Sequence, residues 1–220
     1  MGSREHFGQG KLAIDPAHSV FINCPFDNDF APLLEAIIFA VVRCRFIPRS
    51  SIESGSGSEP RMERIVQAIF SSKYSIHDLS RCRGEGSEQL ARFNMPLELG
   101  IAMARRFKPA RKADRHDWLL LVPEGHLYQR FLSDLSAWDP KTHDGTPESL
   151  VPQVVAWLAT RPDAVHTPTP KQVLAALPRF RAAQDRLREH WGSGVTWADR
   201  LLAAMEVSRD VESTETDASR

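Results

Sequence analysis

Apolar residues in the first 122 positions alternate between short continuous runs and longer stretches with helical spacing. The continuous runs have the length and composition of buried strands and stand at residues 20–24, 44–48, 74–78 and 118–122. The stretches between them place apolar side chains three or four positions apart, as one face of a helix does, at residues 33–42, 61–70 and 96–106. Since parallel strands need crossover connections, this alternation predicts an α/β fold. We expect a Rossmann-like (flavodoxin-like), mostly parallel sheet with helices on both faces.

The second half of the chain has a weaker pattern. It predicts a helical stretch at residues 128–135, a short fifth strand within residues 137–143 and a covering helix at residues 147–158. The Thr-Pro-Thr-Pro segment at residues 167–170 is typical of a linker. Apolar stripes beyond it predict two more helices, at residues 171–191 and 197–207.

These patterns divide the chain into four parts. They are a flexible N-terminal arm (1–17), one α/β domain (18–160), a C-terminal helical extension (170–208) and an acidic, disordered tail (209–220). Two stretches rich in Gly and Ser predict mobile links at residues 49–60 and 84–87. The first follows a predicted strand, where a mobile loop is able to close over a ligand.

The charge balance and the cysteines exclude several classes of protein. Lys plus Arg and Asp plus Glu each number 28, so the chain lacks the positive field that attracts nucleic acid, and we expect no such partner. The three cysteines are widely spaced, which indicates neither a disulfide framework nor a metal site and favours the reducing cytoplasm. No apolar run reaches the roughly 18 residues that cross a bilayer, so we expect a soluble protein without a membrane partner.

Polar residues just after the predicted strands are the candidates for binding and catalysis. In open parallel sheets, ligands bind beyond the carboxyl ends of the strands. That rule selects Asn23, Pro25, Phe26, Asp27, Arg49, Ser51, His77, Asp78, Ser80, Arg92, Asn94 and Glu98. Arg49 and Arg92 can each hold a phosphate through bidentate hydrogen bonds, or form a structural ion pair.

Glu98 and Asp78 are the two catalytic candidates. Glu98 stands inside an apolar helical run, where burying a carboxylate costs several kcal/mol unless it is paired or used. Its alternative role is stabilisation of the helix end. Asp78 ends the third predicted strand, and it can also serve as a helix N-cap or as a partner for Arg81 or Arg92.

His77 and Cys24, which neighbour the candidate residues, are more typical of a buried core than of a catalytic site. Successive side chains of a strand point to opposite faces, so His77 and Asp78 point in opposite directions. A histidine in such a position is more commonly packed under a helix. Cys24 has no adjacent base in the sequence, so we interpret it as a small buried residue and not as a nucleophile.

Two carboxylates that converge on one crevice suit a reaction at the anomeric carbon of a sugar. One can attack or stabilise positive charge at that carbon, while the other holds a hydroxyl or manages a proton. This chemistry needs neither a metal nor a cofactor. Cleavage or transfer of an N-glycosidic bond is therefore the specific hypothesis.

Three segments resemble one superfamily. Residues 21–26 (Phe-Ile-Asn-Cys-Pro-Phe), the strand ending in His77 and Asp78, and residues 96–100 (Pro-Leu-Glu-Leu-Gly) are similar to the layout of the nucleoside 2-deoxyribosyltransferases and the related TIR-type NAD-cleaving domains. The resemblance covers about residues 20–122. It implies that Glu98 is the nucleophile at the sugar C1′ and that Asp78 contacts the sugar or assists the leaving base. Nucleosides, nucleotides or NAD as substrate, and assembly into a homo-oligomer, are expected from it as well.

Two alternatives remain. The first is a non-catalytic module that senses a nucleotide or mediates protein interaction, with the C-terminal helices contributing to assembly. The second, a phosphoacceptor receiver domain, fits poorly. Asn23 and Cys24 stand where receivers carry the acidic pair that holds Mg²⁺, and no lysine ends a late strand.

Overall fold

A parallel five-stranded sheet forms the centre of the molecule. The structure is a computed structural model that describes residues 15–53, 58–83, 91–108, 111 and 115–217. Its strands are β1 (Ser19–Asn23), β2 (Ile47–Arg49), β3 (Tyr74–Asp78), β4 (Asp117–Pro123) and β5 (Lys141–His143), in the order β2-β1-β3-β4-β5. All four neighbouring pairs are parallel. This is the doubly wound order of flavodoxin-like folds, so the predicted α/β class is confirmed.

In the part of the chain that the structure describes, six α-helices connect and cover the strands. They are α1 (Ala31–Arg43), α2 (Arg61–Phe70), α3 (Asn94–Phe107), α4 (Pro147–Ala159), α5 (Pro170–Trp191) and α6 (Trp197–Asp217). Two short 3-10 helices at Leu127–Arg130 and Ser133–Ala137 replace the predicted helix at 128–135. Among the described residues, no helix combines the length and apolar character that a bilayer crossing requires.

Strand alternation assigns the helices to two faces. On one face, α1, α4, α5 and α6 share a core with Ile22, Ile76 and Leu121. On the other face, α2 packs on Phe21 and α3 packs on Leu120. We call these the α1 face and the α3 face. Both faces of a parallel sheet have to be covered, and the two layers satisfy this requirement.

The second strand begins three residues later than predicted. Cys44 ends α1 as its C-cap, and Arg45 adopts a left-handed conformation with φ of 64°. Such a turn is incompatible with an extended strand, so β2 starts only at Ile47. Residues 1–14 of the predicted arm, 54–57 of the predicted loop and 84–87 of the second link lie outside the described residues.

The C-terminal helices belong to the main core. A capping box formed by Thr169 and Gln172 starts α5, and the rings of Phe180 and Phe39 stack 5.2 Å apart between α5 and α1. The predicted disordered tail begins at residue 209, whereas α6 continues to Asp217. Two contacts hold this last part of α6: Val211 is buried in the main core, and the fully buried guanidinium of Arg43 donates hydrogen bonds to carboxylates of α6.

Candidate functional site

The carboxyl ends of β1 and β3 form the topological switch point of the sheet. The chain leaves β1 toward α1 on one face and leaves β3 toward α3 on the other. The two connections separate beyond the strand ends, and in this fold that separation creates the ligand crevice. Asn23 ends β1 and Asp78 ends β3, so the structure brings these two predicted positions to the same edge.

Glu98 lies one turn into α3, on the side that faces α2. Its neighbours Ile101 and Ala102 pack against Ile69 of α2, and Glu98 itself is only 5% exposed. Burial raises the pKa of the Glu98 carboxyl to about 7, and the charge of Arg61 at the start of α2 opposes that rise. Among the described residues, no hydrogen bond or ion pair engages this carboxylate. A group with this pKa exchanges a proton near neutral pH.

Asp78 is fully buried and held by two hydrogen bonds. The backbone N–H of Ser80 donates to its Oδ1 at 2.8 Å, and Nε2 of His143 lies 2.9 Å from its Oδ2. The backbone N–H of Gly145 donates to Nδ1 of His143 at 3.2 Å, so the imidazole proton is assigned to Nε2 and is donated to Asp78. The hydroxyl of Ser80 meets the same Nε2 at 3.4 Å, which excludes a Ser–His–Asp relay through the two ring nitrogens.

The two acidic residues belong to opposite faces of the sheet. Asp78 follows Ile76 on the α1 face, while Glu98 belongs to the helix that covers the other face. Burial raises the pKa of the Cys24 thiol well above its usual value, and the charges of these two residues and of Asp27 act in the same direction. Cys24 therefore stays protonated, and its environment is that of a buried core residue.

An ion-pair cluster joins the loop after β1 to the loop after β3. Arg81 donates to both carboxylate oxygens of Asp27, at 2.7 Å and 3.1 Å, and Arg92 donates to the same carboxylate at 3.3 Å. The hydrogen bond from Arg81 is the main cause of the lowered pKa of Asp27. We call Asp27, Arg81 and Arg92 the crevice bridge. The predicted phosphate ligand Arg92 is thus engaged with Asp27, although half of its side chain remains exposed.

Arg49 lies beside a cavity of about 490 Å³. Its Nε donates to both oxygens of Glu53 at 2.7 Å, and its Nη1 donates to Ser71 at 3.4 Å. A second cavity, of about 350 Å³, lies on the α1 face beside Ser80 and His143. Glu98 is not among the described residues that line these two cavities.

The remaining predicted site residues are distributed along the same edge. Pro25 is buried, whereas Phe26 is 39% exposed and Asn94 is exposed at the start of α3. Asn23 is buried, and its amide nitrogen contacts the backbone oxygen of Met95 and Nδ1 of His77, each at 2.9 Å. Asn23 therefore ties β1 to the first turn of α3.

His77 begins a chain of hydrogen bonds beneath α3. Its Nε2 contacts Oγ of Ser75 at 2.7 Å, Ser75 contacts Nε2 of His116 at 2.8 Å, and Nδ1 of His116 contacts the backbone oxygen of Ser72 at 3.0 Å. Arg105 lies 3.4 Å from that Nδ1 and itself donates to Ser72. Burial lowers the pKa of His77 to about 3 and that of His116 to about 3, with nearby Arg105 and Arg106 acting in the same direction on His116.

These buried histidines predict loss of stability in mild acid. Below about pH 6.5 each of these two histidines binds a proton in the unfolded chain, whereas in the folded protein it stays neutral down to about pH 3. Each histidine therefore lowers the free energy of unfolding by about 1.4 kcal/mol per pH unit in this range. Glu98 offsets the contribution of one histidine. Its carboxyl keeps a proton up to about pH 7 in the folded protein, whereas in the unfolded chain it loses that proton above pH 4.5. We expect the free energy of unfolding to fall by about 1.4 kcal/mol per unit between pH 6 and 5.

Urea denaturation at a series of pH values measures this slope. The His116→Gln variant should lose one histidine's contribution and become nearly independent of pH in this range. A wild-type slope that is flat would contradict the assignment of neutral, buried imidazoles.

Three residues that contact or act on the candidate site residues were not predicted from the sequence. His143 was missed because β5 has only three residues, although the strand-end rule selects it once that strand is assigned. Arg81 was considered as a partner of Asp78, whereas it binds Asp27. Arg61 gave no signal, since its approach to Glu98 depends on how α2 packs beside α3.

Comparisons with known proteins leave the function to be argued from this geometry. No protein-family model, curated protein or solved structure matches the chain significantly. Within the described part of the chain, no three His, Cys, Asp or Glu side chains group as a metal ion would require.

Proposed function

We propose that this protein cleaves or transfers the N-glycosidic bond of a nucleoside, a nucleotide or NAD, with Glu98 acting at the anomeric carbon. The observation that carries the proposal is the buried Glu98 carboxyl, with its pKa raised to about 7, on the helix that follows the central strand β3. A buried carboxylate to which none of the described residues donates a hydrogen bond is costly, and such costs are typical of catalytic groups. The resemblance of residues 96–100 to the deoxyribosyltransferase and TIR-type pattern supports the same assignment.

The proposed step uses the ionised form of Glu98. One carboxylate oxygen attacks C1′ or stabilises the oxocarbenium ion as the bond to the base breaks, and the base leaves with the bonding electron pair. Water or an acceptor base then attacks C1′ and frees Glu98, and the proton that the attacking group loses goes to the departed base or to solvent. Because the pKa of Glu98 is about 7, we expect the rate to rise with pH through 7 and to level off above 8.

The hydrogen bonds of Asp78 favour a supporting role. One of its oxygens accepts from the backbone of Ser80 and the other contacts His143, so the carboxylate holds the loop that leads from β3 to α3. The resemblance implied instead a direct contact with sugar or base. A change at Asp78 should on our assignment weaken folding as well as turnover.

The experiment that tests the proposal is an assay for freed base. The purified full chain is incubated with separate nucleosides, deoxynucleotides and NAD, with and without a second base as acceptor, and products are separated by chromatography and identified by mass. We expect release of free base from at least one substrate. Exchange of one base for another would identify a transferase.

A ligand-sensing module is the second candidate, and the protonation state of Glu98 favours it in one respect. Below pH 7 the neutral carboxyl can donate a hydrogen bond to a ligand without reacting. If a nucleotide from the same panel binds and is recovered intact, with no base released over long incubation, the sensor is correct and the catalytic proposal is wrong.

A further inference from the structure

The chain of polar groups beneath α3 is more than packing requires. Asn23, Ser75, His77 and His116 are each at most 2% exposed, and a buried imidazole that stays neutral gives up its hydration. Apolar side chains would fill the same space without that cost. Satisfied buried networks fix one arrangement of the elements that they join, since any other arrangement leaves donors unpaired.

The hydrogen bonds of this chain have a single consistent direction. The backbone oxygen of Met95 can only accept, so the Asn23 amide nitrogen is the donor and His77 must accept at Nδ1. The proton of His77 therefore sits on Nε2 and is donated to Ser75. His77 is thus one of the two acceptors that hold the Asn23 amide group in place.

The same direction continues to the far end of the sheet. The Ser75 hydroxyl donates to Nε2 of His116, and Nδ1 of His116 donates to the backbone oxygen of Ser72. Ser72 precedes β3, so this chain of hydrogen bonds begins at the carboxyl end of the strands and ends near their amino end. Each proton that is donated along this chain of hydrogen bonds has one acceptor.

This chain of hydrogen bonds begins one helical turn away from the proposed catalytic group. The Met95 carbonyl lies in the first turn of α3, and Glu98 follows three residues later on the same helix. Met95 is buried beside Leu99, so this turn has little freedom once Asn23 holds its carbonyl. Small displacements of a reacting group are costly, because a shift of about 1 Å is able to reduce a rate about 100-fold.

We infer that Asn23 and His77 are positioning residues that fix the first turn of α3, and with it the Glu98 carboxylate, relative to the end of β1. The inference rests on the proposed function for its effect on turnover, but the placement of α3 is measurable without any substrate. It assigns a purpose to the imidazole of His77, which points away from Asp78 and takes no part in the reaction.

The test compares two substitutions of His77 with a matched control. His77→Leu removes both hydrogen bonds, whereas His77→Gln keeps an acceptor for Asn23 and a donor for Ser75. Phe180→Leu is the control, because Phe180 is fully buried on the α1 face and loses core packing without touching α3. All three are made in the full chain.

Three readings are taken from each variant. We expect His77→Leu to lower kcat about 10- to 100-fold with little change in KM, and His77→Gln to restore most of it. Hydrogen exchange of the amides at residues 95–99 should become about tenfold faster in His77→Leu. Carbon-13 NMR should show the pKa of Glu98 falling from about 7 toward 4.5 as its carboxylate meets more water.

The outcomes separate this inference from the proposed function. If wild-type protein releases no base, the proposed function fails, while exchange and the pKa of Glu98 still decide the positioning role. Equal changes in His77→Leu and Phe180→Leu, in all readings, would overturn the inference. If His77→Leu does not fold, Ser75→Ala removes the acceptor of His77 and is expected to move the same readings in the same direction.

Discussion

Replacing Glu98 with Gln will abolish the release of base and at the same time make the protein more stable at pH 8. Loss of the nucleophile removes the covalent or charge-stabilising step, for which we expect a decrease of at least about 1,000-fold in turnover. The gain in stability has a separate origin. It comes from the desolvation that raises the pKa of the buried Glu98 carboxyl to about 7.

The size of the stabilisation follows from linkage between protonation and folding. The folded pKa of about 7 lies above the ordinary 4.5, so ionised Glu98 destabilises the folded protein by about 3 kcal/mol at pH values above both. Gln carries no charge and avoids this cost, although burial of its amide takes back part of the gain. We expect the variant to be about 1–3 kcal/mol more stable at pH 8 and no more stable than wild type below pH 4.5.

Urea denaturation at pH 8 and at pH 4.5, together with the assay for freed base, measures both effects. Glu63→Gln is the matched control, because Glu63 is an exposed residue of α2 and the same chemical change there should alter neither property. Turnover that survives in Glu98→Gln would remove the catalytic proposal. Equal stability of the variant and wild type at pH 8 would show that the carboxylate is better solvated than its burial indicates.

Removing the carboxylates that face Arg43 will destabilise the protein strongly. The Arg43 side chain is fully buried in α1, where it donates to Glu215 at 3.0 Å, to Glu212 at 3.4 Å and to the backbone oxygen of Ser208 at 3.2 Å. With both acids changed to Gln, the buried guanidinium has no anion left among the described residues that pair with it. We expect the Glu212→Gln, Glu215→Gln double variant to lose about 3 kcal/mol of folding free energy.

The Arg43→Met substitution tests whether the unpaired buried guanidinium causes this loss of stability. Arg43→Met replaces the guanidinium with an apolar side chain of similar length, and the two acids keep access to water at 20% and 36% exposure. We expect Arg43→Met alone to change stability by less than about 1 kcal/mol, and to recover most of the loss in the double variant. Additive effects of the three changes in chemical denaturation would contradict an unpaired buried charge as the origin.

The parallel fold could be predicted because hydrophobic period and strand length are local properties. The four main strands and the helices between them followed from spacing alone, and the burial of Glu98 followed from its apolar neighbours. The partners of these residues could not be predicted, because they depend on packing between distant elements. Asp78 binds a histidine 65 positions away, on a strand of only three residues.

The error at the C-terminus has the same physical origin. The acidic, polar sequence from residue 209 resembles a disordered tail when it is considered alone. Its order comes from a buried arginine on α1, which the tail sequence alone does not reveal, and from Val211, which continues the apolar stripe of α6 into the main core. Charge in a terminal segment is therefore a poor guide to disorder when a cation elsewhere in the core needs an anion.

The contact between Arg43 and α6 has a consequence for how the molecule is made. Ser208 and Glu212 are 165 and 169 residues away from Arg43, so this pairing closes a very long loop and has to come late. While residues 208–215 are still inside the ribosome, the nascent α/β domain carries a cation with no counterpart. We expect ribosome-bound chains that end before this segment to be protease-sensitive, and resistance to appear only when α6 has emerged.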